Sequence, residues 1–259
     1  MDAIYRLDGH HILTGPNATG PWDPTMQHGS APSSLVTYIA ETVSSPEPMQ
    51  IVRLTMDLLR PVPVAPLTYQ AEVLREGRKI QLVEVRLFAK EIIVARATVL
   101  KMRIQQPDLP KDVAGPAVSL PSPEECPLLA HKGTRNPFLA GLTMRGAVGD
   151  FLTPGPGAIW FKLHREIVEG KAVSPAMRAV VAADFSNGTS SLLDFRAWTF
   201  INADLSVNLA RPPVGEWILL DAESWLGPDG AGIAAARLAD VHGYFGRAVQ
   251  SLVIEPRVR

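Results

Sequence analysis

Two polar residues stand where an internal repeat elsewhere places hydrophobes. Arg60-Pro61 and Arg211-Pro212 are 151 positions apart (211 − 60), as are Arg96-Ala97 and Arg247-Ala248 (247 − 96). In that register Ala71-Glu72 matches Ala222-Glu223 and Arg86-Leu87 matches Arg237-Leu238 without a gap. Asn202 then takes the place of Ile51, and Gln250 the place of Val99. A repeat implies two copies of one fold, and the polar exchanges assign the chemistry to the second copy. A neutral amide pair can fix a water molecule without adding charge. A nearby carboxylate can take its proton or orient it. Asp184 follows the apolar run Ala179–Ala183. As the end of a helix it would be unfavourable for the helix dipole, which favours a functional reason for it. Gln27-His28-Gly29-Ser30 precedes a helix pattern. A helix N-terminus offers backbone N–H donors to a developing oxyanion, and Gly29 lets a ligand approach the backbone.

Each residue also has a plainer reading. Gln250 could lie on an edge strand in solvent, Asp184 could close a helix, and Asn202 could mark a strand start or bulge. Asp194 and Asp204 are rival carboxylates. Cys126, the only cysteine, sits in a Pro-flanked stretch without a neighbouring His. It can form no internal disulfide, and nothing local marks it as a nucleophile.

The elements that must position these residues follow from periodicity. Gly29–Ser44 has apolar residues at helical spacing, with Leu35, Tyr38, Ile39 and Thr42 on one face. Alternating strands are expected at Ile51–Leu59, Leu67–Leu74, Ile80–Phe88 and Ile92–Met102. The second half repeats the order. A strand at Ala158–His164 precedes a helix at Ser174–Asp184, with Ser174 as N-cap and Asn187-Gly188 as stop signal. Strands then follow at Trp198–Leu209, Trp217–Trp225, Gly232–Asp240 and Tyr244–Ile254. Six prolines between Ile104 and Pro127 make that stretch an extended linker. The expected division is a repeat over 1–103, a Pro-rich linker over 104–150 and a second repeat over 151–259. One helix followed by an antiparallel meander, made twice, is an α+β pattern. Pairing the two sheets edge to edge would hide two exposed edges.

The sequence is 46% hydrophobic and 20% charged, with a formal net charge of −1. That is a globular composition, with no basic block to support nucleic-acid binding. No apolar run approaches the ~20 residues needed to span a bilayer, and the N-terminus does not read as a signal peptide. A cytoplasmic protein is expected. His10, His11, His131, His164 and His242 are scattered, so no metal site and no cofactor are expected. Nucleotide phosphate loops and the G-x-S-x-G nucleophile elbow are absent.

Three segments of the first half, Gly20–Leu35, Leu54–Pro63 and Leu74–Leu87, resemble TesB-type acyl-CoA thioesterases. So do Ala183–Gly188, Thr199–Trp217 and Gly246–Leu252 of the second half. The resemblance implies a double hotdog fold, in which each repeat is a long helix wrapped by an antiparallel sheet and both sheets are continuous. It implies hydrolysis of a fatty acyl-CoA in lipid metabolism, and a homo-oligomer of such subunits. In that family an Asp, a Thr and a Gln orient the attacking water. The Asp maps onto Asp184 and the Gln onto Gln250. The Thr position falls on or next to Asn202, a departure that keeps a donor and an acceptor. His28 and Gly29 are the candidates for binding the thioester and its oxyanion. Arg60, Arg211 and Lys79 could meet coenzyme A, though both Arg-Pro pairs read equally well as strand-end structure. Two other readings stay open. A non-catalytic acyl-CoA or acyl-carrier binding protein is one. An enoyl-CoA hydratase is the other, and the absence of a His near Asp184, Asn202 or Gln250 in sequence argues against it.

Overall fold

Turn residues and alternation set the limits of the elements. The computed structural model describes residues 2–110, 113, 115–129, 136–151 and 153–257, so His131 lies outside it. The first half contains β1 (Tyr5–Asp8), β2 (His11–Thr14), α1 (Ser30–Thr42), β3 (Met49–Asp57), β4 (Leu67–Glu76), β5 (Ile80–Ala89) and β6 (Ile92–Arg103). The second begins with β7 (Leu142–Val148), β8 (Gly157–Leu163), α2 (Pro175–Ala183) and α3 (Ser186–Thr189). It ends with β9 (Trp198–Asn202), β10 (Asp204–Leu209), β11 (Trp217–Leu226), β12 (Ala231–Asp240) and β13 (Gly243–Pro256).

All thirteen strands form one sheet, in the order β1-β2-β4-β5-β6-β3-β10-β13-β12-β11-β8-β7, with β9 also on β13. The halves join at the antiparallel β3–β10 pair, where Leu54 faces Val207 and both are buried. This is the edge-to-edge union expected of the repeat. The register of 151 holds in the meander: β12 starts 151 residues after β5 (231 − 80) and β13 starts 151 after β6 (243 − 92).

A bulge is duplicated as well. The β3–β6 register shifts between Ile51 and Arg53, at Val52. Its counterpart, Ala203 (203 − 52 = 151), is where the chain breaks between β9 and β10. The single strand expected over Trp198–Leu209 is therefore two, because the inserted residue interrupts the ladder on β13. Asn202 sits just before the break.

The helices differ more than the strands. α1 is buried nearly all round, from Ser30 to Thr37 and at Ile39 and Ala40, rather than along the one expected face. Tyr38 is half-buried and Thr42 is exposed. Such a helix is enclosed by its sheet. Its buried hydroxyls bond back to the preceding turn, Ser34 Oγ to Ser30 O at 2.7 Å and Thr37 Oγ1 to Ser33 O at 2.8 Å. α2 has nine residues against thirteen in α1, so the second repeat lacks the long helix expected of it. Ser174 caps it as expected, accepting from Met177 N at 3.1 Å. Asn187-Gly188 does not stop the chain but lies within α3.

The stretch read as a linker over 104–150 holds β7, which pairs with β8 through alternating buried residues Leu142, Met144 and Gly146. Upstream of β7, the Pro-rich segment lies against the second-half sheet. Pro121 O accepts from Trp160 Nε1 at 2.9 Å, and Cys126 packs with Trp160 and Leu219. Burial, with Glu125 beside it, pushes the Cys126 thiol up, which removes thiolate character.

Arg211 has a structural role. Its guanidinium donates to Asp240 Oδ2 at 2.5 Å and to Oδ1 at 2.8 Å. Burial would raise the Asp240 carboxyl. Arg211 and the N–H groups of Val214 and His242 outweigh it and hold the group below the usual carboxylate range. A depressed folded value gives stability that is present above the unfolded pKa and lost as pH falls through the folded one. Asp240→Asn should therefore lower stability at neutral pH by about 1–3 kcal/mol, the scale of hydrogen bonds to charge. The deficit should shrink as the pH drops below the usual carboxylate range. Denaturant titrations of both proteins at neutral and acid pH measure the difference.

Candidate functional site

Asp184 is the C-cap of α2, with φ −68° and ψ −15°. Its side chain is nearly buried and points at the first turn of α1. A buried carboxylate needs partners, and four groups supply them. Asn202 Nδ2 reaches Oδ1 at 3.1 Å, and Gln250 Nε2 reaches the same oxygen at 3.3 Å. Ser30 Oγ lies 3.1 Å from Oδ2 and 3.0 Å from Val181 O, so its one proton is shared between them. His28 Nδ1 lies 3.1 Å from Oδ2. The dipole objection to a carboxylate at a helix C-terminus is answered here, because the group sits at the positive end of α1.

Gly29 explains the close approach. A Cβ built there would stand 2.6 Å from Asp184 Oδ1 and 2.8 Å from Oδ2. Its backbone is ordinary αR (φ −58°, ψ −28°), so space requires the glycine, not conformation.

His28 is fixed on every side. Its N–H donates to Ala18 O at 2.8 Å. Its ring stacks on Phe138 with centroids 4.7 Å apart, and Phe185 lies 4.5 Å away on a tilt. Nδ1 is also 3.1 Å from Ser30 N. With the ring proton on Nδ1 it donates to Asp184; with the proton on Nε2 it accepts from Ser30 N–H. Either state anchors the first turn of α1 to the site. The aspartate–histidine pair held to be missing in sequence is thus present in space, 156 residues apart (184 − 28).

Gln250 occupies the centre of the sheet, between β12 on one side and β10 and β9 on the other, so the solvent-edge reading is wrong. It is fully buried on the face shared by Ala248 and Leu252. Both ends of its amide are engaged: Nε2 also donates to Asp184 O at 3.1 Å, and Oε1 accepts from Asn187 N at 3.1 Å. Asn202 is half-buried. Its Nδ2 also reaches Asp204 O at 3.3 Å, and among the described residues no donor reaches its Oδ1.

The structure brings together all five residues expected at the site: His28, Gly29, Asp184, Asn202 and Gln250. The rival carboxylates lie elsewhere in role. Asp194 accepts from Arg196 N in an exposed turn, and Asp204 Oδ1 accepts from Ser251 N. Ser30 was read only for its backbone, yet its hydroxyl touches the carboxylate. Phe138 carried no local signal, while Phe185 and Asn187 lie in the Ala183–Gly188 segment without being marked as site residues. Beyond Asn202, Phe200 on β9 joins Trp22 and Phe195 in an aromatic cluster, with Trp22 stacked on Phe195 at 4.5 Å. Among the described residues no group of three or more His, Cys, Asp or Glu could hold a metal ion. No helix among them is long and apolar enough to cross a membrane.

Residues 18–102 match the sequence model of an acyl-CoA thioesterase N-terminal domain, and residues 123–254 that of an acyl-CoA thioesterase C-terminal domain. The fold is similar to a putative thioesterase II from Thermobifida fusca YX (TM-score 0.78, 17% identity, covering 98% of this chain and 96% of that one). It is also similar to a putative thioesterase from Novosphingobium aromaticivorans (TM-score 0.71, 20% identity, 96% and 98%). An acyl-CoA thioesterase II from Mycobacterium marinum is a third (TM-score 0.66, 17% identity, 97% and 95%). A further neighbour, from Alicyclobacillus acidocaldarius, is described as having the hot dog fold. No curated protein matches the chain by sequence.

The Gly29 contact gives a direct test. Gly29→Ala should force the Asp184 carboxylate from its place and lower stability by about 1–3 kcal/mol, the usual scale of overpacking. Thermal melts of the two proteins measure it.

Proposed function

The chain belongs to the acyl-CoA thioesterase family, and from that membership we propose that it is a double hotdog enzyme hydrolysing a fatty acyl-CoA thioester to the free acid and coenzyme A. The observation that carries the proposal is the buried Asp184 carboxylate, held by two side-chain amides at the N-terminus of α1. Water binds between Asp184 and the free acceptor Asn202 Oδ1. Asp184 takes a proton as the water oxygen bonds to the thioester carbon. The charge that develops on the carbonyl oxygen is met at the first turn of α1, by the backbone at Gly29 and the adjacent His28. The C–S bond then breaks, and the coenzyme A thiolate leaves with the proton that Asp184 holds. Gln250 spends both of its N–H donors on Asp184 and acts as a positioning residue that fixes it. Asn202 serves where the family pattern has Thr, since an amide supplies both donor and acceptor.

The subunits are proposed to associate as homo-oligomers. The exposed Trp225, Ile233 and Val253 of β11, β12 and β13 supply apolar surface for it. No nucleic acid, metal or cofactor enters the reaction, and the protein is proposed to act in the cytoplasm.

One observation favours a second reading. The Asp184–His28 pair is the acid–base equipment that addition of water to an enoyl-CoA requires. Loss of the enoyl chromophore without thiol release would identify that reaction.

Thiol release from short-, medium- and long-chain acyl-CoA esters tests the proposal. Asp184→Asn should lower turnover by about 100-fold or more, the range of a positioned acid–base group. Asn202→Thr should keep most of the activity, while Asn202→Ala should lose it. Near-normal turnover in Asp184→Asn would sink the assignment.

A further inference from the structure

The helix pair has a second end. α1 and α2 run antiparallel, so the C-terminus of α1 meets the N-terminus of α2 about 20 Å from the Asp184 cluster, at 1.5 Å per residue along α1. Ser174 caps α2 there, accepting from Met177 N at 3.1 Å, and Glu41 lies at the same end. A cavity of about 380 Å³ opens at this end, within the range of small-molecule sites. Its walls include Met49, Ile51, Leu209, Pro175 and Ala176. Ile51 is the repeat counterpart of Asn202. The cavity therefore lies at the first repeat's counterpart of the site, with Ile51 in the place of Asn202.

One charged group changes its meaning. Lys101 lines the cavity and is only 4% exposed. Its ammonium donates to Val43 O at 2.7 Å and to Ala40 O at 3.1 Å. An ammonium has three donors, so one remains. Among the described residues no carboxylate lies within ion-pair distance of it. Glu41 lies on the same wall but is exposed. A buried cation ordinarily has an anionic partner. Here Glu41 and Glu76 act on it only from a distance, and the cavity it lines has polar walls at Ser44, Ser45 and Gln50 as well as apolar ones.

We propose that this cavity binds the carboxylate of an aliphatic acid, with Lys101 meeting the head group and Met49, Ile51 and Leu209 the chain. Phosphates of coenzyme A share the negative charge but would not use the apolar walls. The proposal stands whether or not the opposite end hydrolyses thioesters; only the idea that the ligand is the chain's own product rests on that reading.

Calorimetric titration with decanoate, decanol and coenzyme A tests it on the Asp184→Asn protein, which removes turnover from the measurement. Decanoate should bind saturably. Lys101→Met should weaken decanoate about tenfold or more, the value of a hydrogen bond to charge, and leave decanol unchanged. Should Lys101→Met unfold because α1 loses its cap, Ala176→Leu fills the cavity instead and should abolish decanoate binding. The proposal is overturned by an absence of saturable decanoate binding, by decanoate binding unchanged in Lys101→Met or Ala176→Leu, or by Lys101-dependent binding of coenzyme A alone. Thiol release by the unmodified protein is read separately, so failure here and failure of the thioesterase reading are distinguishable.

Discussion

A carboxylate taken out of water between two helices is the constraint on which the site depends. Asp184 is 5% exposed, and an unpaired charge in that position would cost more than a domain's usual margin of stability. Everything around it reads as compensation. Gly29 leaves room for the oxygens, the Ser30 hydroxyl touches Oδ2 from below, and Asn202 and Gln250 donate from the sheet. The positive end of α1 adds a field that no single side chain supplies. Because α1 belongs to the first repeat and Asp184 to the second, neither repeat holds a complete site.

The meander was legible in the sequence because turn residues and alternation are local. The duplication added long-range information: Gln250 and Asn202 stand out only against Val99 and Ile51. Period-two alternation puts Gln250 on one face with Ala248 and Leu252 but leaves its burial open, and its partners are not legible, since Asn187 N becomes available only once α2 has ended. The limits of α2 were legible, since the helix expected over Ser174–Asp184 is α2 with its two caps; only the resemblance implied a longer one. His28 stands among the expected site residues, but its pairing with Asp184 is not legible, because sequence separation says nothing of a loop pinned by backbone bonds such as Gly20 N to Met26 O and Gln27 N to Val62 O. Those bonds carry His28 to a residue of the other repeat.

The bulge shared by the repeats shows how one backbone was used for two purposes. At Val52 the shift is a minor irregularity in an apolar strand. At Ala203 it breaks the strand, and Asn202, left beside the break, has lost part of its ladder pairing and turned its amide to Asp184. Bulges commonly re-aim side chains beside functional sites. The irregularity came with the fold, and only the residue next to it had to change.

The change from Val99 to Gln250 is harder, because a buried amide with a missing partner costs about 1–3 kcal/mol on mutational scales. It is tolerable only with acceptors and a donor already aimed at it. The break after α2 provides these: Asp184 O and Oδ1 accept from Nε2, and Asn187 N donates to Oε1. In the first repeat α1 continues for thirteen residues, and its carbonyls at Ala40 and Val43 are taken by Lys101. No broken turn lies above Val99, so a glutamine there would be left unsatisfied. Helix length and the polar sheet residue are therefore one coupled feature. A shortened helix exposes the backbone groups that a buried glutamine needs, and the glutamine satisfies the groups that a shortened helix leaves open. That coupling explains why the buried amides appear at one end of the helix pair and a lysine-capped helix end at the other.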